Sequence, residues 1–204
     1  MKHFERELPQ GYVEAYSIDA KKKSTVILMN VLAILAFAVL YLLMMLPLFS
    51  SDFERRQMIS SEKMPTWLVS LVMLVIYIGY IVLHELTHGV AYKSLTGEKL
   101  TYGFTLSVAF CGVPHIYVSR RVALIASAAP LVVFTVLFGA LAATLFLLDT
   151  MLYTLAAVIL CAHLSGCVGD IWVISLLLFK LRDPAVLVKD TGPKQIFMIP
   201  QKGE

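Results

Sequence analysis

Two histidines and a glutamate fall within one short stretch, His84-Glu85-Leu86-Thr87-His88. On an α-helix, residues four apart lie on one face, so His84 and His88 would present two imidazoles to one ion. Glu85 lies about a quarter turn from His84, where its carboxylate can reach a water molecule beside the ion without ligating the metal. Zinc hydrolysis needs this combination, because the metal activates water and polarises a carbonyl while a carboxylate moves the proton. The stretch predicts a zinc site with Glu85 as general base.

The motif lies inside an apolar segment long enough to span a membrane, from about residue 66 to 92. Ionisable side chains inside such a span are unfavourable and persist mostly where a function or a partner holds them. Apolar residues still follow the motif, at Val90 and Ala91, which argues against the alternative of a polar helix end exposed to headgroups or water. This context strengthens the prediction of a metal site.

A zinc site of this type needs a third protein ligand. Asp170 is the only other acidic residue well inside a predicted span. His84 precedes Lys93 by nine residues, about 13 Å of helix, and Asp170 precedes Lys180 by ten residues, about 15 Å. The two polar groups are therefore expected at one depth, and Asp170 is the predicted third ligand.

The whole composition is that of a membrane protein. Hydrophobic residues make up 59% of the 204 residues and charged residues 15%, with a mean hydropathy of +0.80. The net charge of +3 is spread along the chain, so nucleic acid is not an expected partner. Four transmembrane helices are predicted, at about residues 24–49, 66–92, 122–148 and 151–179. Pro130 should kink the third helix unless a neighbour satisfies the carbonyl that its missing N–H leaves free.

Lysine and arginine set the expected orientation. They are frequent in residues 1–23, 93–121 and 180–204, which lie on one side of a four-helix protein. The opposite side carries only Arg55, Arg56 and Lys63. By the positive-inside rule, both termini face the cytoplasm of a multi-pass membrane protein.

The segment from Leu100 to Ser119 is rich in Thr, Tyr, Phe and Val and is interrupted by Gly112 and Pro114. This pattern favours a short membrane-associated β-hairpin, with an irregular interfacial loop as the alternative. The predicted fold is an all-α membrane protein with this hairpin between the second and third helices. We expect a single integral membrane domain over residues 1–204, in which residues 1–23 and 181–204 are cytoplasmic tails.

Other candidate residues are weaker. His163 lies two helical turns before Asp170 and could line a substrate cleft or stabilise an oxyanion, although a hydrogen-bonded core histidine is the simpler interpretation. The three cysteines, Cys111, Cys161 and Cys167, have no metal-binding or disulfide spacing and are expected to be buried thiols.

With a membrane-embedded HExxH motif and a distant Asp on a later helix, the chain resembles the site-2 protease family of intramembrane zinc metalloproteases. It is more closely similar to a small bacterial group of zincin peptidases known mainly as a domain of unknown function. The resemblance implies a zinc metallopeptidase of the bacterial cell membrane that cleaves a peptide bond in or near a transmembrane segment. It also implies His84, His88 and Asp170 as ligands and Glu85 as base. Residues 163–169 replace the Asn-Pro-rich lead that usually precedes the family's Asp.

Three hypotheses for function follow. The first is a zinc intramembrane protease, whose partners are the lipid bilayer and a membrane-protein or peptide substrate. The second is a zinc hydrolase that acts on a lipid or another small acyl substrate. The third is a non-catalytic membrane adaptor that retains the metal as a structural element, and an intact Glu85 argues against it.

Overall fold

The computed structural model describes residues 3–49, 65–105 and 108–201, and most of them are helical. The helices are α1 (Lys23–Met45), α2 (Thr66–Thr96), α3 (Arg120–Leu148), α4 (Thr150–Gly166) and α5 (Val168–Ser175). A 3-10 turn, Leu46–Phe49, follows α1, and a π-helical turn, Leu176–Lys180, follows α5. The strands are β1 (Phe4–Glu5), β2 (Tyr12–Asp19), β3 (Thr101–Phe104), β4 (Ala109–Gly112), β5 (Tyr117–Ser119), β6 (Leu187–Asp190) and β7 (Lys194–Pro200).

Three helical segments in the described residues are long and apolar enough to cross a bilayer: Lys23–Leu48, Thr66–Thr96 and Arg120–Leu148. A fourth is present if α4 and the helix that follows it form one span, bent by 43°. Length and apolar composition therefore give three or four candidate spans, and the predicted count of four stays a prediction. Insertion in a membrane and the orientation of the termini stay predictions. The loop with Arg55, Arg56 and Lys63 lies outside the described residues.

Local sequence signals account for several helix ends. Helix α2 ends at Thr96, where Gly97 takes a φ of +72° and donates its N–H to the Lys93 carbonyl at 2.9 Å. A glycine in this left-handed conformation is a common helix terminator. Helix α4 begins directly after Asp149, which caps it: the Asp149 carboxylate accepts the Leu152 N–H at 2.8 Å. The fourth predicted helix, 151–179, is not continuous, because α4 ends at Gly166 and α5 begins at Val168.

In the part of the chain that the structure describes, seven strands form two sheets. The hairpin of β3 and β4 pairs Thr101 with Gly112 and Phe104 with Ala109, as predicted for this region. The second sheet has five antiparallel strands in the order β1-β5-β6-β7-β2. Four of these strands come from residues 1–23 and 181–204, which the sequence analysis assigned to tails. The all-α description is therefore too narrow: the chain is mostly helical, with a small β-sheet.

The chain divides into two compact units. The first contains residues 1–30, 82–130 and 169–204, and includes both sheets, the HELTH motif and α5. Its core consists of fully buried apolar side chains, among them Val113, Val118, Val122, Leu177 and Phe197. The second contains residues 31–81 and 131–168, with a smaller core of Ala142, Tyr153, Ala156, Ala157 and Leu160.

Candidate metal centre

The two histidines of the HELTH motif face each other across one turn of α2. Their Nε2 atoms are 3.2 Å apart, and the ring centroids are separated by 4.9 Å. Both side chains are mostly buried, with 12% of their surface exposed. The helical spacing therefore produces the shared face that the sequence predicted.

Asp170, in the first turn of α5, lies against both histidines. Its Oδ2 is 3.3 Å from His84 Nε2, and its Oδ1 is 3.3 Å from His88 Nε2. The residues chosen from the sequence as three ligands of one ion are thus brought together within the first unit. The Asp170 side chain is only 17% exposed, and a buried carboxylate needs a polar partner.

The separations of these donor atoms fit a zinc ion. A tetrahedral centre with bonds of about 2.0–2.1 Å holds its ligand atoms about 3.3–3.4 Å apart. The two histidine Nε2 atoms, 3.2 Å apart, agree with this spacing, and each lies 3.3 Å from a different oxygen of the Asp170 carboxylate. Two imidazoles and one carboxylate also form a donor set typical of catalytic zinc, which leaves the fourth position for water or substrate.

The hydrogen bond made by His88 Nδ1 determines which nitrogen of this ring can bind a metal. His88 Nδ1 lies 2.8 Å from the Ala126 carbonyl oxygen, on α3. A carbonyl can only accept a hydrogen bond, so Nδ1 carries a proton, and in the neutral ring Nε2 then presents its lone pair. That lone pair is on the side of Asp170 and His84. The sequence analysis did not foresee Ala126 as a partner.

Glu85 completes the group. A carboxylate oxygen of Glu85 and one ring nitrogen from each of His84 and His88 all lie within 4.8 Å of one another. The side chain is half-buried. At this distance the carboxylate can reach a water molecule next to an ion held by the histidines, which is the position of a general base.

The β3–β4 hairpin packs on the same helix next to the motif. A Cβ at Gly89 would overlap the hydroxyl of Tyr102 and lie 2.7 Å from its Cζ, so only glycine permits this close approach. Tyr102 and Cys111 face each other in the hairpin register and share a hydrogen bond. Burial raises the pKa of Tyr102, and the neighbouring Cys111 adds to the increase. Glycine directly after the HExxH motif was a sequence signal for this contact, and it was missed.

Cys111 is a buried thiol, as predicted. Burial raises its pKa to about 12, with further contributions from the charges of Asp190 and Glu85. The thiol therefore stays protonated at neutral pH and is neither a nucleophile nor a thiolate ligand in the metal-free protein. None of Cys111, Cys161 and Cys167 forms a disulfide.

A buried carboxylate connects α2 to the five-stranded sheet. Asp190, 1% exposed, accepts hydrogen bonds from Tyr92 Oη at 2.6 Å, Gly192 N at 2.8 Å and Gln195 Nε2 at 3.0 Å. Burial raises the pKa of Asp190, and these three donors oppose that increase. Tyr92 lies one turn beyond His88, so the contact fixes the end of the helix that carries the motif. The sequence analysis missed Asp190 because it lay in a presumed tail.

His163 lies in the second unit and is fully buried. Its Nδ1 is 2.7 Å from Tyr80 Oη, and its Nε2 is 3.1 Å from Thr135 Oγ1. Phe134 and Phe138 pack on the ring with centroids 5.9 Å away. These partners are typical of a hydrogen-bonded core histidine. A substrate or oxyanion role for His163 stays a prediction that these contacts do not test.

Two histidines and a glutamate on one helix, next to a carboxylate from a second helix, form an arrangement that mononuclear zinc hydrolases use. Residues 77–183 match the family described as "Putative zincin peptidase". The chain belongs to this family, whose description indicates a zinc metallopeptidase. The matched range contains the HELTH motif, His163 and Asp170. No curated protein and no solved structure matches the chain significantly.

Proposed function

We propose that this protein is a zinc-dependent intramembrane metalloprotease that hydrolyses a peptide bond within or near a transmembrane segment of another membrane protein. The observation that carries the proposal is the cluster of His84, His88 and Asp170. The two Nε2 atoms are 3.2 Å apart on the long apolar helix α2, and each lies 3.3 Å from an oxygen of Asp170 on α5. In this proposal the chain is one integral membrane domain with four spans and both termini in the cytoplasm. The resemblance to the site-2 protease family supports the same type of reaction.

In the proposed mechanism, His84, His88 and Asp170 hold the metal through Nε2, Nε2 and a carboxylate oxygen. When bound, zinc would polarise the scissile carbonyl and make a water molecule more acidic. Glu85 accepts a proton from the attacking water while the water oxygen forms a bond to the carbonyl carbon. The same carboxylate then transfers that proton to the amide nitrogen as the C–N bond breaks. The distance of at most 4.8 Å between a Glu85 carboxylate oxygen and the histidine nitrogens supports this role in both transfers.

A substrate helix must be extended locally before hydrolysis, because its peptide carbonyls are otherwise bonded within the helix. The β3–β4 hairpin offers a place for the extended segment. Strand β3 pairs with β4 on one edge, and Tyr102 on this strand lies over Gly89, one residue after the second histidine. We infer that the substrate adds a strand along β3, with its peptide bond directed toward the metal centre.

The experiment compares the parent protein with Glu85→Gln, purified with zinc and reconstituted with a panel of single-span membrane substrates. Removal of the base while all three ligands remain should preserve one zinc per chain and reduce peptide cleavage by at least about 10²-fold, the lower range for a general base. Glu98→Gln is the matched control, because Glu98 pairs with Arg6 at 3.0 Å, outside the metal centre. This variant should cleave the substrates at the parent rate.

The panel also includes lipid and small acyl esters, which distinguish the second hypothesis. Hydrolysis of esters that depends on Glu85, without cleavage of any peptide substrate, would replace the protease by a zinc esterase. Zinc binding without any Glu85-dependent hydrolysis would favour a non-catalytic adaptor. Peptide cleavage at the parent rate in Glu85→Gln would contradict the proposed mechanism.

A further inference from the structure

Pro130 interrupts the hydrogen bonding of α3 at a point next to the metal centre. In a regular α-helix, the N–H of residue 130 would donate to the carbonyl of Ala126, four residues earlier. Proline has no N–H, so the Ala126 carbonyl lacks its usual donor. Both residues are fully buried, which makes replacement of that donor by solvent unfavourable.

His88 supplies the missing donor. Its Nδ1 is 2.8 Å from the Ala126 oxygen, so the freed carbonyl is satisfied by a ring N–H from α2. The same contact fixes the tautomer of the ring and directs Nε2 toward Asp170 Oδ1, 3.3 Å away. A partner that orients the second nitrogen of a ligating histidine typically changes metal affinity by about 10–100-fold when it is lost.

We propose that Pro130 is a positioning residue for the metal centre: its missing N–H reserves the Ala126 carbonyl for His88 and so orients this ligand. The inference rests on the proposed function, because it takes His88 as a zinc ligand. Proline is otherwise the least favourable residue in a helix interior. Pro130 lies in the buried turn that contacts His88. The loss of one helical hydrogen bond there is explained if the freed carbonyl is needed to orient His88.

The proposal makes a prediction that a packing role would not. Any other residue at position 130 restores an N–H that competes for the Ala126 carbonyl, so zinc affinity should decrease whatever the size of the new side chain. Helix α3 should at the same time become more regular. We therefore expect zinc affinity to decrease while the thermal stability of the metal-free protein increases.

The experiment measures zinc affinity by competition with a chelator for Pro130→Ala and Pro130→Val in the full chain. We expect a similar loss in both variants, about 10-fold, at the low end of the range because a carbonyl has a second lone pair that His88 can still use. Pro114→Ala, in the loop before β5, is the matched control and should bind zinc like the parent. Parent affinity in both Pro130 variants would overturn the proposal. A loss in the smaller alanine variant alone would also overturn it, since it would identify ring packing as the cause.

A second measurement needs no variant. In zinc-loaded parent protein with ¹⁵N-histidine and ¹³C-carbonyl alanine, NMR should detect coupling across the hydrogen bond between His88 Nδ1 and the Ala126 carbonyl. Absence of this coupling in a well-resolved spectrum would refute the proposed contact. Failure of the parent to bind zinc would overturn the proposed function and this inference together. Normal zinc binding by the parent and by both Pro130 variants would overturn this inference alone.

Discussion

Asp170→Asn is the most informative single change in the metal centre. The substitution keeps the shape of the side chain but replaces a negatively charged carboxylate by a neutral amide. Asp170 is the carboxylate that lies 3.3 Å from both histidine Nε2 atoms, so the variant retains both imidazoles and removes only the charge. We expect a large loss of zinc affinity with little change in the fold.

The magnitude follows from the charge and the distance. A carboxylate oxygen about 2.1 Å from a zinc ion attracts it by about 4 kcal/mol even at the dielectric constant of water. Since about 1.4 kcal/mol corresponds to a factor of ten, removal of this attraction weakens zinc binding by about 10³-fold. The Asp170 side chain is only 17% exposed, so solvent screens this attraction less than bulk water does.

The assay is competition with chelators of graded zinc affinity on protein purified in detergent. Asp149→Asn is the matched control, because it removes the same charge at the start of α4, where asparagine caps a helix as well as aspartate does. The control should keep the parent affinity. A parent-like zinc affinity in Asp170→Asn would show that this carboxylate is not a ligand and would refute the reasoning.

Other predictions concern the residues around the centre. Gly89→Ala should displace the hairpin and speed hydrogen exchange in residues 101–104. The same change made together with Tyr102→Ala should have a much smaller effect, because the overlapping ring is gone. The folded-state pKa of Asp190 is raised, so its contribution to stability is complete below the unfolded pKa near 4 and is lost as pH rises through the folded pKa. The stability of the parent relative to Asp190→Asn, followed by thermal unfolding, should therefore decrease with pH in that window, and a constant difference would contradict the shift. Cys111, with a pKa of about 12, should be alkylated at pH 8 about 10³-fold more slowly than in the denatured protein, as peptide mass mapping can measure; equal rates would show an accessible thiolate.

The cluster of His84, His88 and Asp170 was largely predictable from the sequence, although its role in metal binding stays a prediction. The spacing of His84 and His88 fixes their common face on any α-helix. Asp170 was found by a different argument, since a carboxylate in an apolar helix needs a partner at the same depth. The first argument uses local helix geometry and the second uses the cost of burying a charge. In the structure, both histidine Nε2 atoms lie 3.3 Å from an Asp170 oxygen. Their assignment as zinc ligands still awaits measurement.

The five-stranded sheet was not predictable by the same rules. Its order places β5, from the middle of the chain, between β1 and β6, so pairing joins segments more than 60 residues apart. Strand β1 has two residues and β5 has three, too few for any alternating pattern. Residues 1–23 and 181–204 were therefore interpreted as tails, and Asp190 was overlooked with them.

Pro130 illustrates an intermediate case. Because Pro130 has no N–H, the Ala126 carbonyl needs a hydrogen-bond donor from a neighbour. This need was predictable from the sequence. The identity of that neighbour depends on how two helices pack, and only the structure shows that it is His88, at 2.8 Å. Physical requirements were predictable here, whereas tertiary partners were not.

X-ray absorption at the zinc edge tests the central claim most directly. The zinc-loaded protein should show a first shell of nitrogen and oxygen at about 2.0–2.1 Å, with two imidazoles, and no sulfur at about 2.3 Å. The imidazole signal should decrease in His84→Ala, whereas the control Asp149→Asn should leave the spectrum unchanged. A sulfur shell, or a spectrum that His84→Ala does not alter, would contradict a zinc centre formed by His84, His88 and Asp170.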